Sequence, residues 1–210
     1  MRNFIFPISL FAAFILFTVL LKFVDVQAIG PESTIVGFAT FNLAISNFFG
    51  LKIFWYNFTD WLGLVPVFIA FSFAVFGLFQ LIKRGSIFKV DKQLLLLGGF
   101  YIIVISAYIF FEKVIINYRP VILGVHPEAS YPSSHTMIVI CFLESAIIIL
   151  KHYIKNPKTF LWVKIIFRII IAITVSGRLL SGVHWATDIA GGILLSLALV
   201  EFYKKFCDIL

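Results

Sequence analysis

The stretch SGRLLSGVHWATD, residues 176–188, places Arg178, His184 and Asp188 between two strongly apolar runs. Charged groups are costly in a membrane, and the few that occur there are commonly functional. His184 and Asp188 are four residues apart at the start of the second run, so they share one face of a helix. A carboxylate beside an imidazole can hold its tautomer and stabilise its cation, as in hydrolases. The stretch therefore predicts catalytic chemistry at the beginning of an apolar helix.

The whole chain is apolar for its length of 210 residues, with 61% hydrophobic and only 13% charged residues. A soluble domain carries about 25% charged residues. Several apolar runs approach the ~18–20 residues that cross a bilayer. Six runs lie at about 4–21, 61–82, 94–111, 136–150, 160–175 and 185–203. Because backbone groups in lipid must bond internally, these runs predict an all-α integral membrane protein, a bundle of six transmembrane helices in a single domain over residues 1–210.

The first run, at 4–21, has two interpretations, a secretory signal and a retained first span. It is longer than the usual apolar core of a signal, and the following VDVQA is a poor cleavage site, so we expect retention. Residues 22–60 contain few charges and many aromatic side chains. They predict an outer loop with an interfacial helix, whose Trp55, Tyr56 and Trp61 lie in the aromatic belt.

The distribution of Lys and Arg predicts the orientation, because cytoplasmic loops carry the excess. With both termini in the cytoplasm, ten of these residues lie inside and five outside. The inside set is Arg2, Lys83, Arg84, Lys89, Lys92, Lys151, Lys155, Lys158, Lys204 and Lys205, and the outside set is Lys22, Lys52, Lys113, Arg119 and Arg178. The net charge of +7 is spread over loops, without a basic helix, so membrane lipids and not nucleic acid are the expected partners. We expect a multi-pass protein of the plasma membrane.

Two more polar clusters fall on the same outer side as residues 176–188. They are KVIINYRP, residues 113–120, and YPSSH, residues 131–135. Ser133 and Ser134 occupy the cap region of the fourth predicted helix, where free N–H groups and the helix dipole favour an anion. The planar guanidinium groups of the two arginines suit phosphate oxygens. The clusters therefore predict an extracytoplasmic phosphate site flanked by two histidines, and its members are Lys113, Arg119, Ser133, Ser134, His135, Arg178, His184 and Asp188.

A metal site built from His135, His184 and Asp188 is the main chemical alternative. The two arginines argue against it, because they would repel a divalent cation. We therefore expect no metal and no other cofactor. Two further charges, Glu144 and Arg168, fall inside predicted spans at similar depths. They predict an interhelical ion pair, and the alternative is a proton or substrate path.

The three clusters together resemble the signature of the type 2 phosphatidic acid phosphatase (PAP2) superfamily. That signature reads Lys-x6-Arg-Pro, then Pro-Ser-Gly-His, then Ser-Arg-x5-His-x3-Asp, and residues 113–188 carry the matching motifs. The resemblance implies a helical bundle with a PAP2/haloperoxidase-like core. It implies that His184 attacks phosphorus and becomes a phosphohistidine, that Asp188 orients it, and that His135 protonates the leaving group. The phosphoryl oxygens would be held by Arg119, Arg178 and Ser133, without a metal.

Three positions depart from the pattern. Only five residues separate Lys113 from Arg119, and one residue turns a helix by about 100°, so Lys113 would need a bend or a flexible reach to touch phosphate. Ser134 replaces the glycine of the pattern and adds a hydrogen-bond donor. Gly177 replaces the serine before Arg178, which removes the serine contact expected there.

The predicted function is a metal-independent membrane lipid phosphatase that hydrolyses a lipid phosphate or pyrophosphate at the outer face. By family analogy the candidate substrates are phosphatidic acid, phosphatidylglycerol phosphate and undecaprenyl pyrophosphate. Two alternatives remain open at this stage. One is a non-catalytic lipid-phosphate transporter or binding protein on the same scaffold, and the other is a phosphotransferase with an acceptor other than water.

Overall fold

The computed structural model describes residues 4–210, so Arg2 of the charge count lies outside the described residues. This part of the chain is helical, and its only β pairings are two isolated bridges, Gln27 with Val36 and Tyr118 with Ala129. The α-helices are α1 Ile5–Leu20, α2 Ala39–Phe49, α3 Ile53–Leu62, α4 Leu64–Arg84, α5 Lys92–Lys113, α6 Ser134–Tyr153, α7 Pro157–Leu180 and α8 Ala186–Cys207. Short 3-10 turns lie at Pro31–Ser33 and Ile87–Lys89. The prediction of an all-helical protein is confirmed.

Five helical stretches within residues 4–210 are long and apolar enough to cross a membrane. They are Ile53–Arg84, Lys92–Lys113, Ser134–Tyr153, Pro157–Leu180 and Ala186–Cys207. The remaining apolar helix, α1, has 16 residues, and at about 1.5 Å per residue it is shorter than a ~30 Å hydrocarbon core. The protein is therefore a multi-pass membrane protein, and the predicted count of six spans is not confirmed. Helix α1 packs along α8.

Helix α6 lies at the centre of the bundle and packs against α4, α5, α7 and α8. Eleven of its twenty residues are buried, as expected of a helix enclosed by others. Small residues let α8 approach it closely. A side chain at Gly191 would collide with the ring of Tyr131, and a Cβ at Gly192 would lie 3.1 Å from the Ser133 carbonyl oxygen. This close approach brings the beginning of α8 next to the beginning of α6.

Local capping explains where the helices of the site begin. The side chain of Ser133 accepts from Thr136 N at 3.5 Å and caps α6. Asn156 caps α7 by accepting from Lys158 N at 2.9 Å, directly before Pro157 at the first helical position. Helices α6 and α8 begin at the same end of the bundle at which α7 ends, because only short segments connect these three helices. We call this the site end.

Residues 22–60 differ from the predicted single interfacial helix. They contain two helices, α2 and α3, and α3 packs against α7 before the chain continues into α4 at Gly63. The ring of Tyr56 lies over the guanidinium group of Arg178, 5.2 Å from centroid to Cζ. Trp61 is 75% exposed, whereas Trp55 faces α7. Only Trp61 therefore has the exposure expected of an aromatic-belt residue, because the other two rings pack on α7.

Glu144 on α6 and Arg168 on α7 form the predicted interhelical ion pair. Arg168 Nε lies 3.0 Å from Glu144 Oε1, and its Nη2 lies 3.4 Å from Oε2. The side chain of Arg168 is 55% exposed on the outside of the bundle, so the pair does not lie in the core. Its depth along α7 places the pair within the apolar belt, where each charge needs a partner.

At the end opposite the site, Asp91 joins three helices. It precedes α5 and accepts hydrogen bonds from Arg84 at 2.8 Å, from Gln80 at 2.8 Å and from Tyr153 at 2.7 Å. The bonds from Arg84, Gln80 and Tyr153 lower the pKa of Asp91 to about 2. The aspartate therefore remains a carboxylate at neutral pH and ties α4 to α5 and α6.

Candidate active site

The structure brings most of the predicted site residues together at the site end. They come from the start of α6, the end of α7, the start of α8 and the segment between α5 and α6. Arg119 and Arg178 both interact electrostatically with His184, and Arg178 and His184 both do so with His135. The three polar clusters, far apart in the sequence, thus form one site.

His184 lies in the short segment between α7 and α8 and is almost completely buried. Its Nδ1 lies 3.0 Å from Ser130 Oγ and 3.7 Å from Asp188 Oδ2. Ser130 in turn donates its hydroxyl proton to Asp188 Oδ2. The serine oxygen therefore accepts from His184 Nδ1–H, and this arrangement leaves the lone pair on Nε2. That Nε2 atom is buried and has no hydrogen-bond partner among residues 4–210.

Asp188 is held from several directions and is completely buried. Its carboxylate accepts from the backbone N–H of Trp185 at 2.9 Å and from Asn117 Nδ2 at 3.2 Å. Its backbone oxygen accepts from the N–H of Ser133 at 3.0 Å. Because these bonds connect α8 to the start of α6 and to the preceding loop, the aspartate fixes the relative positions of the three clusters.

Burial lowers the pKa of His184, and the nearby Asp188 carboxylate raises it by less. The charges of Arg119 and Arg178 act in the same direction as burial. The imidazole is therefore neutral at neutral pH, in the protonation state that a nucleophile requires.

The segment between α5 and α6 folds back on itself and carries Arg119. The backbone N–H of Arg119 donates to the backbone carbonyl oxygen of Glu128 at 3.0 Å, and the backbone N–H of Ser130 donates to the backbone carbonyl oxygen of Asn117 at 2.9 Å. Trp185 Nε1 connects this segment to the start of α8 by donating to the backbone carbonyl oxygen of Tyr118 at 2.8 Å. Arg119 Nε lies 3.2 Å from Glu128 Oε2, but not in hydrogen-bond geometry, so Nε and Nη1 have no hydrogen-bond partner among the described residues.

Arg178, in the last turn of α7, has a completely buried side chain. Its Nη2 donates to Asp60 Oδ1, while its Nε and Nη1 are buried without a partner in the described part of the chain. His135, in the first turn of α6, contacts the same carboxylate oxygen, with Nε2 at 3.1 Å from Asp60 Oδ1. Asp60 on α3 therefore joins two predicted site residues, although it lies outside the three polar clusters.

The two serines before His135 have different surroundings. Ser133 is completely buried, caps α6 and donates its N–H to Asp188. Ser134 is partly exposed and borders the cavity that also contains Asp60 and His135. Its N–H belongs to the first turn of α6, which has no acceptor within the helix. Of the two serines, Ser134 is therefore the one that lines this cavity.

Lys113 is the one predicted residue that the site does not engage. It ends α5, is exposed, and makes no hydrogen bond or ion pair with residues 4–210. The segment that follows it turns towards Asp188 through Asn117. The shifted spacing noted in the sequence is consistent with this position, because Arg119 reaches the site while Lys113 points to the surface.

The predicted metal alternative is not supported by the positions of its three residues. Asp188 contacts His184, whereas His135 contacts Asp60. Within residues 4–210 no three His, Cys, Asp or Glu side chains form a cluster suited to a metal ion.

Residues 111–207, which include all three clusters, match the family model described as the PAP2 superfamily. The matched segment, 97 of the 210 residues, is similar to the PAP2 superfamily. A solved structure described as the first transmembrane PAP2-type phosphatidylglycerolphosphate phosphatase from Bacillus subtilis has a similar fold. The TM-score is 0.64 at 22% identity, over 97% of this chain and 96% of that chain. No curated protein sequence matches the chain.

Three polar residues of this site, Ser130, Asn117 and Asp60, lie outside the set of residues predicted from the sequence. Ser130 directly precedes the YPSSH cluster, and Asn117 lies inside KVIINYRP, so both had a signal in their proximity to a motif. Both contact Asp188. Asp60 lies outside the matched PAP2 segment, in a stretch that is otherwise aromatic and apolar. Its isolated charge beside predicted span 61–82 was the available signal.

Proposed function

We propose that this protein is a PAP2-type membrane lipid phosphatase that works through a phosphohistidine on His184. The observation that carries the proposal is the state of His184, a buried imidazole whose Nδ1 is held by Ser130 and whose Nε2 has no hydrogen-bond partner among residues 4–210. Arg119 and Arg178 lie in the same site, and Nε and Nη1 of each lack a hydrogen-bond partner in the described part of the chain. A neutral nucleophile among preorganised cations fits phosphoryl transfer, which depends on positioning and charge stabilisation.

In the proposed first step, the Nε2 lone pair of His184 attacks phosphorus and forms an N–P bond. The bond from phosphorus to the leaving oxygen breaks, and His135 gives that oxygen a proton. Arg119 and Arg178 neutralise the equatorial oxygens, and the Ser134 N–H at the start of α6 adds a donor. Asp188, through Ser130, stabilises the imidazolium as charge develops on His184.

In the proposed second step, water attacks the phosphohistidine. His135, now neutral, accepts a proton from this water, and the N–P bond returns its electron pair to Nε2 of His184. Inorganic phosphate leaves, and both histidines regain their starting protonation states. The chain's own side chains therefore complete the cycle as donors and acceptors.

A lipid substrate is supported by the cavity beside His135, which has a volume of about 240 Å³. Asp60, Ser134 and His135 form its polar end, and Leu64, Val67 and other apolar residues form its walls. A second cavity of about 320 Å³ lies between Ala70–Leu81 on α4 and Leu94–Tyr101 on α5, and it is almost wholly apolar. Val67 and Ala70 are one helical turn apart, so the two cavities follow one side of α4. The polar end of the first cavity suits the phosphate group of a lipid, and the apolar second cavity suits its hydrocarbon chain.

We further propose an extracytoplasmic site with both termini in the cytoplasm, on the basis of the Lys and Arg distribution. Phosphatidylglycerol phosphate is a candidate substrate because the similar Bacillus subtilis protein is described as a phosphatase of that lipid. Phosphatidic acid and undecaprenyl pyrophosphate are candidates on the same chemical grounds, since each presents a terminal phosphate on an apolar chain.

The test is phosphate release by the purified full-length protein in detergent micelles containing each of the three lipids, with a sugar phosphate for comparison. The unsubstituted protein should release phosphate from at least one lipid, and His184→Ala should lose about 10³-fold or more in rate. His152→Ala is the matched control, because His152 is exposed at the opposite end of α6. Binding without phosphate release would favour the transporter alternative, and transfer of phosphate to a lipid or sugar hydroxyl would favour a phosphotransferase.

A further inference from the structure

Arg178 and His135 share a single carboxylate oxygen, Oδ1 of Asp60. His135 Nε2 lies 3.1 Å from this atom, and Arg178 donates to it through Nη2. In the proposed mechanism, Arg178 holds a phosphoryl oxygen and His135 gives a proton to the leaving oxygen. Oδ1 of Asp60 therefore lies between two groups that would both bind oxygens of the substrate.

The position of Asp60 depends on the close packing of α3 against α7. A Cβ at Gly177 would lie 2.5 Å from Thr59 Cγ2 and 3.1 Å from the ring of Trp55. Gly177 stands where the PAP2 pattern has serine, so this departure makes room for α3. At the adjacent position, Tyr56 stacks over Arg178. Glycine at position 177 thus lets α3 pack close enough to α7 for Asp60 to contact Arg178.

The charges around this point favour an anion. Those that act on His135 are Asp60 from α3, Arg178 from α7, and His184 and Arg119 from the connecting segments. Tyr108 from α5 is another titratable residue, and it lines the cavity beside His135. Two arginine cations attract a phosphate group, whereas a carboxylate in contact with one of them repels it. Asp60 and a substrate phosphate therefore compete for the same donors.

We propose that Asp60 is a built-in competitor of phosphate at this site, which weakens binding of the phosphate group and speeds release of the product. The proposal rests on the proposed function. Asp60 has a side chain that is 38% exposed, whereas that of Arg178 is completely buried. The carboxylate can turn towards the open cavity when a phosphoryl group arrives, and it returns to Arg178 and His135 when inorganic phosphate leaves.

The first test compares binding of inorganic phosphate to the purified full-length protein and to Asp60→Asn by isothermal titration calorimetry. Asparagine keeps an oxygen for Arg178 but removes the charge. We expect phosphate to bind Asp60→Asn about tenfold more tightly, because a repulsion at contact distance is removed. The KM for the lipid should fall in the same variant, and kcat should not rise. Asp208→Asn is the control, since it removes an exposed charge near the end of α8, away from the site.

A second variant, Gly177→Ala, tests the same proposal with Asp60 intact. The added methyl group should push Thr59 and Trp55 away and move Asp60 from Arg178, so phosphate should bind more tightly here too. In Gly177→Ala with Asp60→Asn, the second substitution should add nothing. This result distinguishes displacement of the carboxylate from an unrelated change at either position.

Unchanged phosphate affinity in Asp60→Asn would overturn the proposal. A fall in kcat for alkyl phosphates, with nitrophenyl phosphate spared, would also overturn it, because Asp60 would then serve to keep His135 protonated for poor leaving groups. If the unsubstituted protein neither binds phosphate nor releases it from any lipid, the proposed function fails. If only the proposal for Asp60 is wrong, the unsubstituted protein still releases phosphate from a lipid. The two proposals can therefore be tested separately.

Discussion

Ser130 Oγ lies 3.0 Å from His184 Nδ1, closer than the 3.7 Å that separates this nitrogen from Asp188 Oδ2. The hydroxyl also donates to Asp188. The histidine and its carboxylate are thus connected through a serine. This connection determines which nitrogen carries the proton, and it leaves Nε2 free to react.

Ser130→Ala should lower kcat by about two- to tenfold, which corresponds to the net worth of one hydrogen bond. The effect should be smaller than that of Asp188→Asn, because Asp188 also stabilises the positive charge on His184. Steady-state phosphate release at saturating lipid measures both variants. The thermal midpoint should change little in Ser130→Ala, and activity equal to that of the unsubstituted protein would rule out a role for the serine in orienting His184.

Arg119 and Lys113 are predicted to differ sharply in importance. Arg119→Ala should reduce kcat/KM by about 10²-fold or more, the usual loss on removing a donor that stabilises transition-state charge. Lys113→Ala should change it by less than about threefold, because an exposed side chain without a hydrogen bond or ion pair to residues 4–210 adds only weak, screened charge. Phosphate-release kinetics on the preferred lipid measure both. A large loss in Lys113→Ala would mean that the lysine reaches the substrate despite its shifted spacing.

The bonds to Asp91 predict an acid-sensitive contribution to stability. The pKa of Asp91 is about 2 in the folded protein, below the ordinary value of about 3.9 expected on unfolding. The contribution is therefore fully present above pH ~4 and is lost as the pH falls through about 2. Asp91→Asn should unfold at a lower temperature than the unsubstituted protein at pH 7, and this difference should shrink below pH ~4.

Thermal unfolding in detergent, followed by circular dichroism between pH 2 and pH 7, provides the measurement for Asp91→Asn. Asp208→Asn is a suitable control for the loss of one carboxylate, because Asp208 is exposed and its side chain makes no hydrogen bond in the described residues. A difference between Asp91→Asn and the unsubstituted protein that stays constant down to pH ~2 would contradict the prediction.

The Glu144–Arg168 pair predicts non-additive effects on stability. Arg168→Leu and Glu144→Leu should each lower stability, and the double variant should lose less than the sum. A coupling energy of about 1 kcal/mol is expected, as for other polar contacts between membrane helices. Unfolding of the four proteins in mixed micelles gives this energy as a double-mutant cycle. Strict additivity would show that the contact between α6 and α7 contributes nothing.

The helical architecture could be predicted from the sequence because apolar runs in lipid have only one way to satisfy their backbone groups. The predicted count of six spans is not confirmed, because α1 has only 16 residues and is shorter than the hydrocarbon core. The helical stretch that contains the predicted span 61–82 begins earlier, at Ile53, because α3 continues through Gly63 into α4. Helix ends depend on capping and packing that composition does not record.

The location of the three polar clusters could be predicted because each lies next to the end of an apolar run. Loop charge put these ends on one side, and the structure brings the clusters together. Asp60 could not be found in this way, because its partners Arg178 and His135 are 118 and 75 positions away in the sequence and on different helices. Such a contact depends on how α3 packs at Gly177, which is a property of the fold and not of any local pattern.

The central claim is that Nε2 of His184 receives the phosphoryl group. The most direct measurement is rapid quenching of the enzyme during turnover of a radiolabelled lipid phosphate, followed by mapping of the labelled peptide. We predict an acid-labile, base-stable label on His184 that forms within one turnover and is absent from His184→Ala but present in His152→Ala. A label on another residue, or phosphate release at the unsubstituted rate by folded His184→Ala, would contradict the claim.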